Sequence, residues 1–118
     1  FAKWERTVDS RTIQAALAQI GTDEAIDLLL APLRQEDRVP DEHYTIEQLK
    51  TVRSLRAVPT LKALLVDTRE TNYNDLRVCD FAADALSAIY PEGPGFDREL
   101  PLPERDARIV LWKDFTAK

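Results

Sequence analysis

The chain has 118 residues, 44% of them apolar, with a formal net charge of −5 and a pI near 4.9. That length holds one domain at most, or a piece of a longer repeat array. The acidic balance argues against a nucleic-acid-binding module, which carries a basic footprint, and no apolar run approaches the roughly 18 residues that a membrane span needs.

Frequent Leu, Ala and Arg with only 3 Gly point to a helical protein. Residues 1–7 read as the end of a preceding helix or a loose arm, pinned by Trp4. Asp9 or Ser10 caps a helix over 11–20, whose stripe is Ile13, Ala16, Leu17 and Ile20. Gly21 suits the positive φ of a helix C′ position. Thr22 caps the next helix, Asp23 and Glu24 suit its dipole, and Ala25, Ile26, Leu29, Leu30 and Leu33 form its apolar face. Pro32 kinks or ends it.

Residues 35–44 read as a polar loop. Thr45 and Gln48 form a T-x-x-Q capping box, opening a helix with Ile46, Leu49, Val52 and Leu55 inward. Ala57-Val58-Pro59 makes a corner into a helix that buries Val58, Leu61, Leu64 and Leu65. After a polar loop over 67–73 comes a helix over 74–90, NDLRVCDFAADALSAIY, capped by Asn74 or Asp75. Val78, Cys79, Ala82, Ala83, Leu86 and Ile89 form one stripe of it, and Phe81, Ala85 and Ala88 a second. A helix so widely apolar is buried between neighbours. The one Cys, Cys79, excludes an internal disulfide and reads as a small buried hydrophobe. Pro91, Gly93, Pro94 and Gly95 stop the helix. A connection over 91–103 follows, anchored by Phe96, Leu100 and Leu102. A last helix over 104–115 carries Ile109, Leu111, Trp112 and Phe115. This tail is expected to cap the core, packing Trp112 and Ile109 near Phe81 or Ala85.

The helices repeat. Leu17 and Ile20 match Leu49 and Val52 at a shift of 32. Ala25, Ile26, Leu29 and Leu33 match Ala57, Val58, Leu61 and Leu65 at the same shift, and Leu49 matches Leu86 at 37. Two helix types alternate, and stacking covers the face that each pair leaves open. The expected fold is an all-α solenoid of about two and a half helical hairpins, over roughly 10–22, 23–56 and 57–90, with a cap over 91–118.

Residues 56–89 resemble a HEAT repeat of the bacterial type. Ala57-Val58-Pro59 opens it, Leu61, Leu64 and Leu65 follow, and Asp67 stands at the turn. Leu76-Arg77 and the Ala-rich run over 82–89 match the second helix, and residues 19–25 look like the corner between repeats. The C-terminal E-R-D-x-x-I-x-x-W-x-x-F resembles the closing segment of such proteins. The resemblance implies a HEAT-like superhelix in which Asp67 and Arg77 hydrogen-bond along the stack. Gln35 replaces the corresponding Asp of the first repeat, and the loop before Asn74 is longer than usual. The resemblance also implies two enzymatic precedents, DNA-repair glycosylases and bilin-attaching lyases. The former need a longer array and a basic, aromatic-lined groove.

Candidate chemistry is sparse. His43 stands beside Asp41 and Glu42 without a second ligand at zinc spacing. The loop with Asp67, Glu70, Asn72, Asn74 and Asp75 lacks the EF-hand ligand pattern. Ser10, Ser54 and Ser87 have no His base in view. Asp80 and Asp84, one turn apart, either share a proton or pair with Lys50, Arg53 or Arg56 across the helix pair. Two binding surfaces remain. A concave face presents Arg11, Gln14, Lys50, Arg53, Arg77, Asp80 and Asp84, a mixed-charge groove for a protein or peptide. A loop edge presents Tyr44, Asp41, Glu42, Tyr73 and Glu70, an acidic rim for a basic partner.

The leading expectation is a non-catalytic protein-binding or assembly module, a domain or fragment of a larger protein. It takes no cofactor or metal, and its partner is a protein or peptide rather than nucleic acid or membrane. The alternatives are a HEAT-like enzyme or enzyme subunit of the bilin-lyase type, and a structural spacer domain. The chain starts at Phe1 and contains no Met, as expected of a processed or trimmed product or of a sequence shown without its initiator. Cytoplasmic and exported locations both stay open, as does the oligomeric state.

Overall fold

The computed structural model describes residues 10–34, 42–71 and 76–116, and their regular elements are helices. In order these are α1 Ser10–Ile20, α2 Asp23–Leu30, α3 Glu42–Val52, α4 Val58–Leu64, α5 Val78–Ile89 and α6 Leu102–Asp114. Single 3-10 turns lie at Ala31–Arg34 and Leu55–Ala57. The one extended pairing among the described residues is an antiparallel bridge between Glu70 and Arg77. No described helix is long and apolar enough to cross a membrane.

Local chemistry sets the corners. Gly21 ends α1 at φ +68°, where an added Cβ would strain the backbone. Thr22 then caps α2, its hydroxyl accepting from the Ala25 N–H at 3.3 Å. Pro32 cannot continue the helical ladder, and α2 tightens into its 3-10 turn over Ala31–Arg34. At the next corner Arg53 takes φ +58°, a left-handed position held by a non-glycine residue. Leu55, expected to face inward from α3, is instead 65% exposed, because the chain has already turned. Ile20, Leu102 and Leu111 are also exposed rather than buried.

Two helices start elsewhere than their sequence signals suggest. α3 begins at Glu42, three residues before the T-x-x-Q box. Thr45 is buried and donates its hydroxyl to the Gln14 side chain of α1 instead of capping. α5 begins at Val78 with Arg77 as its N-cap. There the Asp80 carboxylate, at position N3, reaches back to accept from the Arg77 backbone N–H at 2.9 Å, the N3-to-N-cap bond of a capping box. The expected caps Asn74 and Asp75 lie outside the described residues, as do Trp4, Asp9 and Gln35.

α3 packs on both α1 and α5, α2 covers α1 and α3, and α4 and α6 both pack on α5. One core results. α5 is buried continuously from Val78 to Leu86, as its double apolar stripe predicts. Around it lie Leu29, Leu30, Ile46, Leu49, Leu61 and Leu65. The tail joins the same core: Trp112 is fully buried and Ile109 nearly so. The Trp112 indole N–H donates to the Gly95 carbonyl at 3.0 Å, and its ring packs edge-on against Phe115 at 5.1 Å. Gly93 lies under this ring, and a Cβ there would come within 2.5 Å of it. Lys62 of α4 fixes the other end of α6. Its ammonium donates to the carbonyls of Trp112 at 2.6 Å and Phe115 at 2.8 Å, filling acceptors that a helix C-terminus leaves open.

Leu86→Ala is expected to destabilise the protein by about 2–5 kcal/mol in urea unfolding, because Leu86 is fully buried where layers meet. Gly93→Ala is expected to lower Tm by displacing the Trp112 ring. With Trp4 replaced by Phe, the same displacement should shift the remaining tryptophan emission to the red.

Candidate functional site

The polar edge of α5 is where charge enters the core. Asp80 and Asp84 lie one turn apart, so their side chains share a face. Asp80 is fully buried and Asp84 is 7% exposed. Burying a carboxylate costs several kcal/mol unless cations and donors meet it.

Asp80 is met from two sides. The Arg77 guanidinium donates to both its oxygens, at 3.1 and 3.0 Å, and Arg105 of α6 reaches Oδ2 at 2.7 Å. Arg77 also reaches Asp106 of α6 at 2.7 Å, and Arg105 Nε donates to the Leu100 carbonyl at 2.9 Å. Asp80 raises the Arg77 pKa above its ordinary value, against the effect of burial. Asp84 forms a separate centre. Its Oδ2 accepts from Lys50 Nζ at 2.8 Å and Arg98 Nε at 2.9 Å. Arg98 also donates to Glu47 of α3, and its guanidinium carbon lies 4.7 Å from the centre of the Phe81 ring, within cation–π range. Burial opposes the Arg98 charge, but Asp84 and Glu47 outweigh it and raise the pKa.

Beside this centre opens a cleft of about 660 Å³, lined by Lys50, Leu76, Asp84 and residues 96–99. It brings an ammonium, a guanidinium, three carboxylates and the Phe96 ring to one opening. Such a surface suits a polar, extended ligand read by several weak contacts rather than an apolar small molecule.

The concave-face residues are therefore distributed unevenly. Lys50 and Asp84 line the cleft, whereas Arg77 and Asp80 are engaged with α6. Gln14 accepts from Thr45, and Arg53 is exposed at its corner. Of the expected cross-helix cations, Lys50 does meet Asp84. Arg56 instead forms a two-pronged pair with Asp27 of α2, at 2.7 and 2.8 Å. On the loop edge, Tyr44 is half-buried in the first turn of α3 and Glu70 is exposed. Asp41 and Tyr73 lie outside the described residues, as do the side chains of Arg11, Glu42 and His43. The backbone of His43 belongs to α3, not to a loop.

Asp67 and Arg77, expected to hydrogen-bond along the stack, each have a partner close in sequence, and Arg77 also reaches α6. Asp67 pairs with Arg69 two residues on, at 2.9 Å, and this guanidinium holds its carboxyl below the usual range. That pair is therefore formed above the ordinary carboxyl range and is lost as pH falls below it.

Arg98, Arg105, Glu47 and Phe96 did not stand out as site residues. Part of the signal for the two arginines was nevertheless present: two aspartates on a helix that is otherwise mostly apolar require cations, and the tail carries three arginines, Arg98, Arg105 and Arg108. Comparison with protein families, with characterised proteins and with solved structures finds no match to this chain.

Removing a buried partner costs more than removing an exposed one. Asp80→Ala is expected to destabilise by about 3–5 kcal/mol, because Arg77 and Arg105 lose a buried counter-charge. Asp106→Ala, at an exposed carboxylate, is expected to cost less than about 1 kcal/mol; equal losses in urea unfolding would contradict this reading of the network. Cys79, whose thiol burial pushes up to about 11, is expected to react with a thiol reagent at pH 8 only after denaturation.

Proposed function

We propose that the chain is a HEAT-like α-solenoid segment acting as a non-catalytic protein-binding module, with an extended stretch of a partner held in the cleft between Lys50 and Glu99. The observation that carries this reading is the cleft itself. It joins charges of both signs to an aromatic side chain, with Lys50 of α3 and Asp84 of α5 on one side and residues 96–99 on the other. The repeat at a shift of 32, and the packing of α3 on both α1 and α5, support the solenoid part. A stack of this kind offers a long, firm surface, so little ordering is lost on binding. Mixed charge at the rim gives selectivity through complementarity more than raw affinity, and micromolar peptide binding is the natural regime.

A displayed library of extended peptides, panned on the intact chain, tests this. Selected peptides are expected to lose at least about tenfold in affinity on Glu99→Lys, at an exposed position of the cleft, with Tm nearly unchanged. Peptides that bind this variant as well as the parent chain would place recognition elsewhere and reject the cleft.

A further inference from the structure

Resting on that reading of the cleft, we infer that the Asp84 centre is a socket for an arginine of the partner, and that Arg98 is a built-in occupant holding the connection between α5 and α6 across it as a strap. The connection runs over residues 90–101, without regular structure. Connections of that length inside a small domain are uncommon and often functional.

The way the strap is held separates its two sides. From α6, arginine and tryptophan side chains grip its backbone: Arg108 on the Pro94 carbonyl, Trp112 on Gly95 and Arg105 on Leu100. Toward α3 and α5 it is held by the Arg98 side chain, with Phe96 partly buried against the core. That side chain enters a site with the parts a guanidinium needs: the Phe81 face, the Asp84 carboxylate and Glu47. A planar, delocalised cation fits a ring and two carboxylates better than an ammonium does.

The socket is also built to survive a change of occupant. Asp84 Oδ2 is bound by Lys50 as well as by Arg98, so when Arg98 leaves, the buried carboxylate keeps a cation. Asp80, by contrast, is held by Arg77 and by Arg105 from within α6, and residues 96–99 make no ion pair to it. Releasing residues 96–99 therefore leaves the anchor of α6 intact. The cleft lies directly against these residues and gives an incoming chain a place to start. The partner segment implied is extended, carries an arginine, and exchanges with the strap rather than adding to it.

The test uses the full chain and a labelled hexapeptide, Gly-Phe-Asp-Arg-Glu-Leu, copied from residues 95–100. Arg98→Ala vacates the socket, and circular dichroism checks that it remains folded. Fluorescence anisotropy is expected to show the peptide binding Arg98→Ala at least about tenfold more tightly than the parent chain. Replacing the peptide's arginine by alanine should abolish the gain, and by lysine should reduce it. A folded Arg98→Ala chain without the gain, or one that binds all three peptides alike, overturns the inference. So does an Arg98→Ala chain that fails to fold, since Arg98 is then a brace. As a second readout, Glu47→Gln is expected to speed amide exchange at Glu99 and Leu100 while leaving α5 protected; unchanged exchange there counts against a releasable strap. Library peptides that bind the cleft without an arginine would reject the socket and leave the protein-binding reading standing. Library peptides that bind away from the cleft would reject both.

Discussion

The structure depends on one constraint, which is that α5 buries two carboxylates. A helix enclosed on nearly all sides has no water to offer Asp80, so its charge is met by protein groups or it is not met. Arg77, at the start of the same helix, supplies part of the answer and Arg105 the rest. This fixes where α6 lies. Once Arg105 is placed, Ile109 and Trp112 fall one and two turns further along the same face, and both are buried. Trp112 then fixes Gly93 and Gly95 beneath and beside it. The tail caps the core through apolar area, but its orientation is set by charge.

Much of this was legible in the chain. Gly21-Thr22 specified a corner because a positive φ and a side-chain cap are local matters, settled by two residues. The burial of α5 was legible because its apolar stripes leave no face for solvent. The start of α3 was not, because Thr45 had two uses for its hydroxyl. Capping is local, whereas the bond to Gln14 spans 31 residues and exists only after α1 and α3 have met. The partners of Asp67 and Arg77 were not legible for a related reason. The resemblance to a repeat implied bonds along the stack for Asp67 and Arg77, whereas Asp67 is paired with Arg69 two residues on and Arg77 with Asp80. Of the site, the sequence showed that charges cluster on one edge of α5. It did not show that a connection folds over that edge, since proline and glycine mark where a chain turns and not where it then goes.

The two aspartates illustrate how one motif is put to two uses. Asp80 is closed in by groups from its own helix and the tail, and the arrangement reads as architecture. Asp84 lies at a margin, with one cation from α3 and another from the connection, next to open space. Four residues of separation on one helix move a carboxylate from a structural setting to one where ligands can compete.

The Arg105–Asp80 pair also bears on the order in which the molecule is made. The two residues lie 25 positions apart, and α5 leaves the ribosome well before α6 does. During that interval the nascent helix holds a carboxylate meant for the interior with only Arg77 to meet it. Packing α5 between α3 and α4 at that stage would enclose a half-compensated charge, so early docking is discouraged until the tail arrives. The same ion pair that orients α6 thus ties the closing of the core around the central helix to the arrival of a segment 25 residues further along the chain.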